Sequence, residues 1–346
     1  MTWAVWAPLL APLLAVPSAR RLADLLPPRA AALLLAATAT LLAVLSAGAL
    51  AMLTTAGLLR LPLIAGLARM SATDMRRSTP VILPIGALAA LTLGVAAVAL
   101  LRTAQRHRVD LLRAADTAER HGGAGDLTVL PDPGADAYAL PGLPGRPGRV
   151  VVTAGMLRGL NAREREVLLA HERAHLKCRH HILIILTDLA SCLDPALRGL
   201  RKPLAFHLER WADESAAQTV GDRRLTAQAI GRAALAASAA PALPRPAMAL
   251  AASTGPVPRR VAALLAAEQP RTQRSSRLRT TRPAAAVAAL LTGCVLSSGV
   301  CALDAATDLH ATIEAAQGAL PTREGHGHAH HPVPHGMYPP PQRGAT

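Results

Sequence analysis

Two histidines and a glutamate stand at a spacing suited to metal chemistry: His171-Glu172-Arg173-Ala174-His175. On a helix, four residues turn through about 400°, so the two imidazoles leave nearly the same face, one turn apart. They can share one zinc ion, and Glu172 borders their face closely enough to reach a water on the metal. Zinc acidifies such a water and polarises a carbonyl. Glu172 would take the proton of the water and pass it to a departing amine. These are the parts of peptide hydrolysis. The pattern is short, however, and an exposed helix with a Glu-His surface would read the same way.

A catalytic zinc needs a third protein ligand and one open position. Two candidates compete. His181 completes the spacing His-Glu-x-x-His-x-x-x-x-x-His of the metzincins, which break their helix with a glycine three residues after the second histidine. Here that position is Cys178, and apolar helical sequence continues through Leu186. A continuing helix carries His181 about 240° round from His175, away from the metal. His180 and His181 then read as a polar flank at the end of a helix. The other candidate is Glu209, in Glu209-Arg210-Trp211-Ala212-Asp213. Two histidines and a carboxylate form a known catalytic zinc set. Asp213, four residues on, can accept a hydrogen bond from the far nitrogen of a ligand histidine. A solvated acidic face around Arg210 is the plain alternative. The two motifs together favour one zinc ion held by His171, His175 and Glu209, with Glu172 as catalytic base and Asp213 behind a ligand. No oxyanion-stabilising group is legible, and His207 is only nearby.

The elements around these residues follow from local signals. Val150 to Thr153 follows several Pro-Gly pairs and predicts a short strand. Ala162 to Cys178 has an apolar side at Val167, Leu168 and Leu169 and predicts a helix. Ile182 to Leu193 is apolar but short and contains Asp188, which suits a buried or membrane-abutting helix rather than a span. Leu204 to Val220 predicts another helix, ended by Gly221.

Outside this region the chain is built for a bilayer. It has 346 residues, 51% of them hydrophobic, with a mean hydropathy of +0.29. Ala30 to Leu59, Val81 to Leu101 and Pro283 to Leu303 carry no charge and meet the roughly 20-residue requirement for crossing hydrocarbon. Met1 to Ala19 is also uncharged but holds Pro8, Pro12 and Pro17. Its positive pair, Arg20 and Arg21, follows the apolar stretch instead of preceding it, which suits a retained helix rather than a signal peptide.

The net charge of +15 is nearly all arginine; Lys177 and Lys202 are the only lysines. Aromatics are 2%, so stacking platforms for bases are missing and direct nucleic-acid binding is not expected. The arginines flank apolar segments, as topology signals do. Arg20, Arg21, Arg29, Arg102, Arg106, Arg108 and the arginines from Arg271 to Arg282 fall on one side, which is then cytoplasmic. Arg60, Arg69, Arg76 and Arg77 fall on the other. Cys178, Cys192, Cys294 and Cys301 form no CxxC pair and read as small buried residues rather than a disulfide framework. The tail carries His326, His328, His330, His331 and His335 and reads as low-complexity, with metal collection as an alternative role.

The expected architecture is a multi-pass α-helical membrane protein in the cell membrane. A mainly α (α+β), zincin-like peptidase domain of the gluzincin kind lies between its third and fourth spans. Residues 1–101 hold three spans (about 3–19, 30–59 and 81–101), residues 102–282 the cytoplasmic zinc domain, residues 283–303 the fourth span, and residues 304–346 a disordered tail.

In this order of spans and motifs the sequence resembles the BlaR/MecR-type membrane metallopeptidases, the antirepressor proteases of beta-lactam signalling. The likeness is densest from Val150 to Asp222. It runs through Val-Val-Thr-Ala-Gly-Met-Leu, then His171 to His175, Asp194-Pro195, and Glu209 to Asp213. The resemblance implies that His171, His175 and Glu209 bind zinc, that Glu172 is the base, and that Asp213 is the supporting aspartate. It also implies a cytoplasmic protein substrate, such as a repressor of the BlaI/MecI type, which could add as an extended strand beside an edge strand such as Val150 to Thr153. The family's penicillin-binding domain and its Ser-x-x-Lys motif are not expected here, which leaves the protease module. The HtpX-type membrane proteases share the same zinc logic. A scaffold with a structural zinc site, and a metal-responsive protein using the tail, are the readings from other classes.

Overall fold

The computed structural model describes residues 3–61, 81–123, 125–239 and 256–266, with scattered positions between 288 and 314. Helices dominate. After a 3-10 turn at Trp3–Trp6 come α1 (Ala7–Leu25), α2 (Pro28–Leu58) and α3 (Ile82–Arg120). Three short strands follow: β1 (Leu127–Leu130), β2 (Ala137–Leu140) and β3 (Arg149–Thr153). Then come α4 (Ala154–Gly159), α5 (Ala162–Lys177), α6 (His180–Leu193), a 3-10 turn (Pro195–Leu200), α7 (Arg201–Val220), α8 (Arg223–Ser238) and α9 (Val257–Ala266). The expected fourth span is described only at scattered positions, of which Ala288 and Val295 lie against the cluster formed by α1 and α2. The His-rich tail, Cys294, Cys301 and the arginines from Arg69 to Arg77 and from Arg271 to Arg282 fall outside the described residues.

Among the described residues, α2 and α3 are long and apolar enough to cross a membrane. They run antiparallel and meet backbone to backbone: a Cβ on Gly57 would stand 2.8 Å from the Cα of Gly86. Ala49 and Leu53 of α2 pack with Ala89 of α3 in the same register. Both helices rise equally per residue, so the last apolar residue of α3, Leu101, lies level with about Leu42 of α2. The start of α2, Ala31 to Ala43, is therefore beyond the apolar part of α3. It is buried against Leu197, Leu200, Leu204 and Leu208. That half of the predicted span 30–59 is thus packed against other helices. α1 packs on the same face through Ala15, Ala19 and Ala23, all fully buried, and runs on past Ala19 through Arg20, Arg21 and Asp24.

The sheet has the order β1-β3-β2, with β1 parallel and β2 antiparallel to β3. Val150 to Thr153 is thus the central strand and not an edge, which corrects the expected place for an added substrate strand. Its pairing capacity is used on both sides, and both its faces are buried. Val150 and Val152 pack on Met156, Leu160 and Leu168, while Val151 packs on Ala115 and Ala118 of α3. β1 and β2 are the edges.

Capping chemistry places the helix with the histidine pair. Thr153 closes β3 and caps α4 by accepting from the Met156 N–H. Asn161 and Glu164 form a reciprocal capping box at the start of α5. Buried Glu164 also pairs with Arg232 of α8 at 3.0 Å. At its other end α5 stops. Arg179 adopts a left-handed conformation (φ 52°, ψ 42°), and α6 begins at His180. The predicted continuous helix through Leu186 is therefore broken in two, although no glycine marks the break. α6 turns back to pack against α2 and α3, where it is too short to span, as its length predicted. α7 lies across α5 and α2 and ends at Gly221, which takes the left-handed conformation that glycine tolerates (φ 75°).

Candidate metal centre

α5 and α7 cross so that His171, His175 and Glu209 converge in the interior. Their ligand atoms lie within 4.8 Å of one another, and all three residues are buried. The two Nε2 atoms are 3.1 Å apart. Each faces a different oxygen of Glu209 at 3.5 Å. Around a four-coordinate zinc with bonds of about 2.0–2.1 Å, neighbouring donors stand about 3.3–3.4 Å apart. The triangle has the size a zinc ion requires.

The far nitrogens explain why these atoms are acceptors. Nδ1 of His171 lies 3.0 Å from Oδ1 of Asp213. A carboxylate only accepts, so the proton of His171 sits on Nδ1, leaving a lone pair on Nε2. Nδ1 of His175 lies 2.8 Å from Nδ1 of His180. Two ring lone pairs and a carboxylate then face one another in the interior, an arrangement that calls for a cation. The same field favours a proton. Burial opposes charge on His171, yet the carboxylates of Asp213 and Glu209 beside it push it up to about 10. His175 is held well below the usual histidine range by burial and by the neighbouring charges of His171 and Arg260.

Glu172 is fully buried beside the pair. Its charge reaches Arg260, a residue that belongs to neither motif. Arg260 is also fully buried, on α9. Its guanidinium forks the Asp213 carboxylate at 2.6 and 2.8 Å, and its Nη1 stands 2.8 Å from Oε2 of Glu209. Burial alone would make Arg260 easier to deprotonate; the charges of Glu209, Asp213 and Glu172 reverse that and fix it as a cation. Arg260 shares the face of α9 that carries Val257, Val261 and Leu264, which pack into the core with Ala217 and Ile230. An arginine on the apolar face of a helix was the available signal.

Helical periodicity puts His180 on a polar flank, whereas the structure puts it in the interior. It is buried against His175 and Trp211. Burial, then the charges of His171 and His181, bring it down to about 3, so it is neutral. His181 itself is half-buried and stands outside the convergent group. His207 faces Asp24 of α1 at 3.9 Å. Cys178 and Cys192 are unbridged and half-buried; Cys192 touches the Thr103 hydroxyl of α3 at 3.3 Å.

A comparison with protein families matches residues 100–198 to Peptidase family M48. The matched stretch runs from the end of the apolar part of α3 to the turn before α7. It includes His171, Glu172, His175 and His180 and stops short of Glu209. Comparisons with curated proteins and with solved structures give no match. The segment that carries the histidine pair is therefore similar to a family of zinc metallopeptidases, which indicates a metallopeptidase and hence a hydrolase. Two helices able to cross a bilayer are in keeping with a membrane-associated one.

Proposed function

We propose that this protein is a membrane-bound zinc endopeptidase that hydrolyses peptide bonds in a protein substrate at the cytoplasmic face. The observation that carries the reading is the convergence of His171, His175 and Glu209, all acceptors at zinc-sized separations, with Glu172 buried alongside. His171, His175 and Glu209 would hold the ion. Bound zinc supplies Lewis acidity, which acidifies a water and polarises the scissile carbonyl. Glu172 takes the proton of the attacking water and delivers it to the departing amine. Asp213 keeps the proton of His171 on Nδ1 and its ring in place. The cytoplasmic placement is supported by Arg20 and Arg21 near the end of α1, Arg29 at the start of α2, and Arg102, Arg106 and Arg108 just past the apolar half of α3. A BlaI/MecI-type repressor is the substrate that the BlaR/MecR resemblance supports.

Mapping new N-termini in native membranes from cells expressing wild type or Glu172→Ala tests this. Cleavages confined to wild type are expected, and a cut repressor among them would give the signalling role. Identical termini in the two, under several stresses, would overturn the endopeptidase reading in favour of a structural zinc site.

A further inference from the structure

The chain reverses at Arg179, and the first residue after the turn comes back under the metal centre. His180 is 1% exposed. Its Nδ1 lies 2.8 Å from Nδ1 of His175, with the two rings edge to face at a centroid distance of 4.7 Å. Its other side rests on the indole of Trp211, at 4.6 Å. Trp211 lies two residues beyond Glu209 on α7, and the guanidinium of Arg29, in the first turn of α2, stands 5.5 Å from the centre of its ring.

The hydrogen bond has one sense compatible with the metal reading. Nε2 of His175 faces His171 and Glu209, so its lone pair belongs to the ion and its proton to Nδ1. Among the described residues, Nδ1 of His180 is the acceptor at hydrogen-bond distance from that proton. His180 is therefore neutral, with its own proton on Nε2, which has no hydrogen-bond partner among the described residues. His171 has a carboxylate, Asp213, in the same role.

We infer that His180 is a positioning residue for the metal centre: it accepts the Nδ1 proton of His175, fixes that ligand's tautomer and ring orientation, and is itself braced by Trp211 beneath Arg29. One ligand histidine is thus oriented by the ExxxD helix and the other by the start of α6. The second support leads through Trp211 to the first turn of α2, so the membrane helix touches the brace of a ligand.

The inference rests on the zinc reading, and the test separates the two. The full chain in detergent is compared as wild type, His180→Asn and His180→Leu. Asparagine offers a carbonyl oxygen near the place of Nδ1, whereas leucine has the same shape and cannot accept. The readouts are zinc affinity, by competition with a chelator, and the visible absorption of the cobalt-substituted protein. Leucine is expected to weaken zinc binding by roughly 10–100-fold, the usual cost of losing such a partner, and to shift the cobalt spectrum. Asparagine is expected to restore most of the affinity and the wild-type spectrum. Leucine at wild-type affinity with an unchanged spectrum would overturn the proposal. So would asparagine as weak as leucine, since the role would then be packing. If the leucine variant does not fold, the asparagine variant alone decides by the same criterion. A wild type that binds no zinc would overturn the metal reading as well, which the variants by themselves cannot do.

Discussion

Arg260 binds the metal centre together from outside it. Three buried carboxylates, Glu172, Glu209 and Asp213, lie within its reach. With two neutral histidines, one divalent zinc ion and this one arginine, the formal charge of the cluster sums to zero. Without the arginine, and before metal enters, the three carboxylates would be buried with only the His171 imidazole to offset them. Removing one partner of a buried pair costs about 3–5 kcal/mol. Arg260→Met should therefore lower the stability of the metal-free protein by about that amount. Added zinc should recover more stability in the variant than in wild type, because the ion takes over part of the neutralising role. Thermal unfolding in detergent, with chelator and with zinc, checks this. A metal-free variant as stable as wild type would show that the fork is dispensable.

At the scale of elements, the break between α5 and α6 matters most. It gives the histidine helix its length and sends His180 back to His175. A β-carbon makes the left-handed conformation of Arg179 unfavourable by about 1–2 kcal/mol, and its side chain is exposed. Glycine would remove that cost while adding freedom to the unfolded chain, worth about 0.4–1 kcal/mol in the opposite direction. Arg179→Gly should thus stabilise the protein by about 0.5–1 kcal/mol, visible as a higher unfolding midpoint. A clear loss of stability would mean that the arginine side chain holds the turn. The turn also marks where the sequence ceased to be legible. The histidine pair, Glu209 and Asp213 could be placed by helical periodicity, which is a local property. Gly221, the short strand and the brevity of α6 were likewise readable. The reversal at Cys178–Arg179 has no glycine or proline to announce it, so periodicity ran straight through and left His180 on the wrong surface. Strand order was out of reach for a different reason. Val150 to Val152 is apolar on every residue, which fits a strand buried on both faces, but pairing depends on partners far away in the chain.

Taken whole, the long apolar helices and the helices around the candidate metal centre pack into one another without a clean seam. Hydropathy reads α2 as one long span, because protein core and lipid select the same residues. Ala31 to Ala43 share a cluster with residues of α6 and α7, and nearer its other end α2 crosses α3 at Gly57 and Gly86, beside the cluster of Ala49, Leu53 and Ala89 with Val5 and Leu9. α3 continues without a break from its apolar half into the face of the sheet, through Ala115 and Ala118. The two helices able to cross a bilayer are thus part of the scaffold around His171, His175 and Glu209, and the natural test object is the whole chain. The most direct measurement is the zinc content of purified full-length protein in detergent, for wild type, Glu172→Gln and Glu209→Gln. About one zinc per chain is expected in wild type and in Glu172→Gln, and a large loss in Glu209→Gln. A wild type without zinc, or a Glu209→Gln variant that keeps its full complement, would contradict the zinc reading.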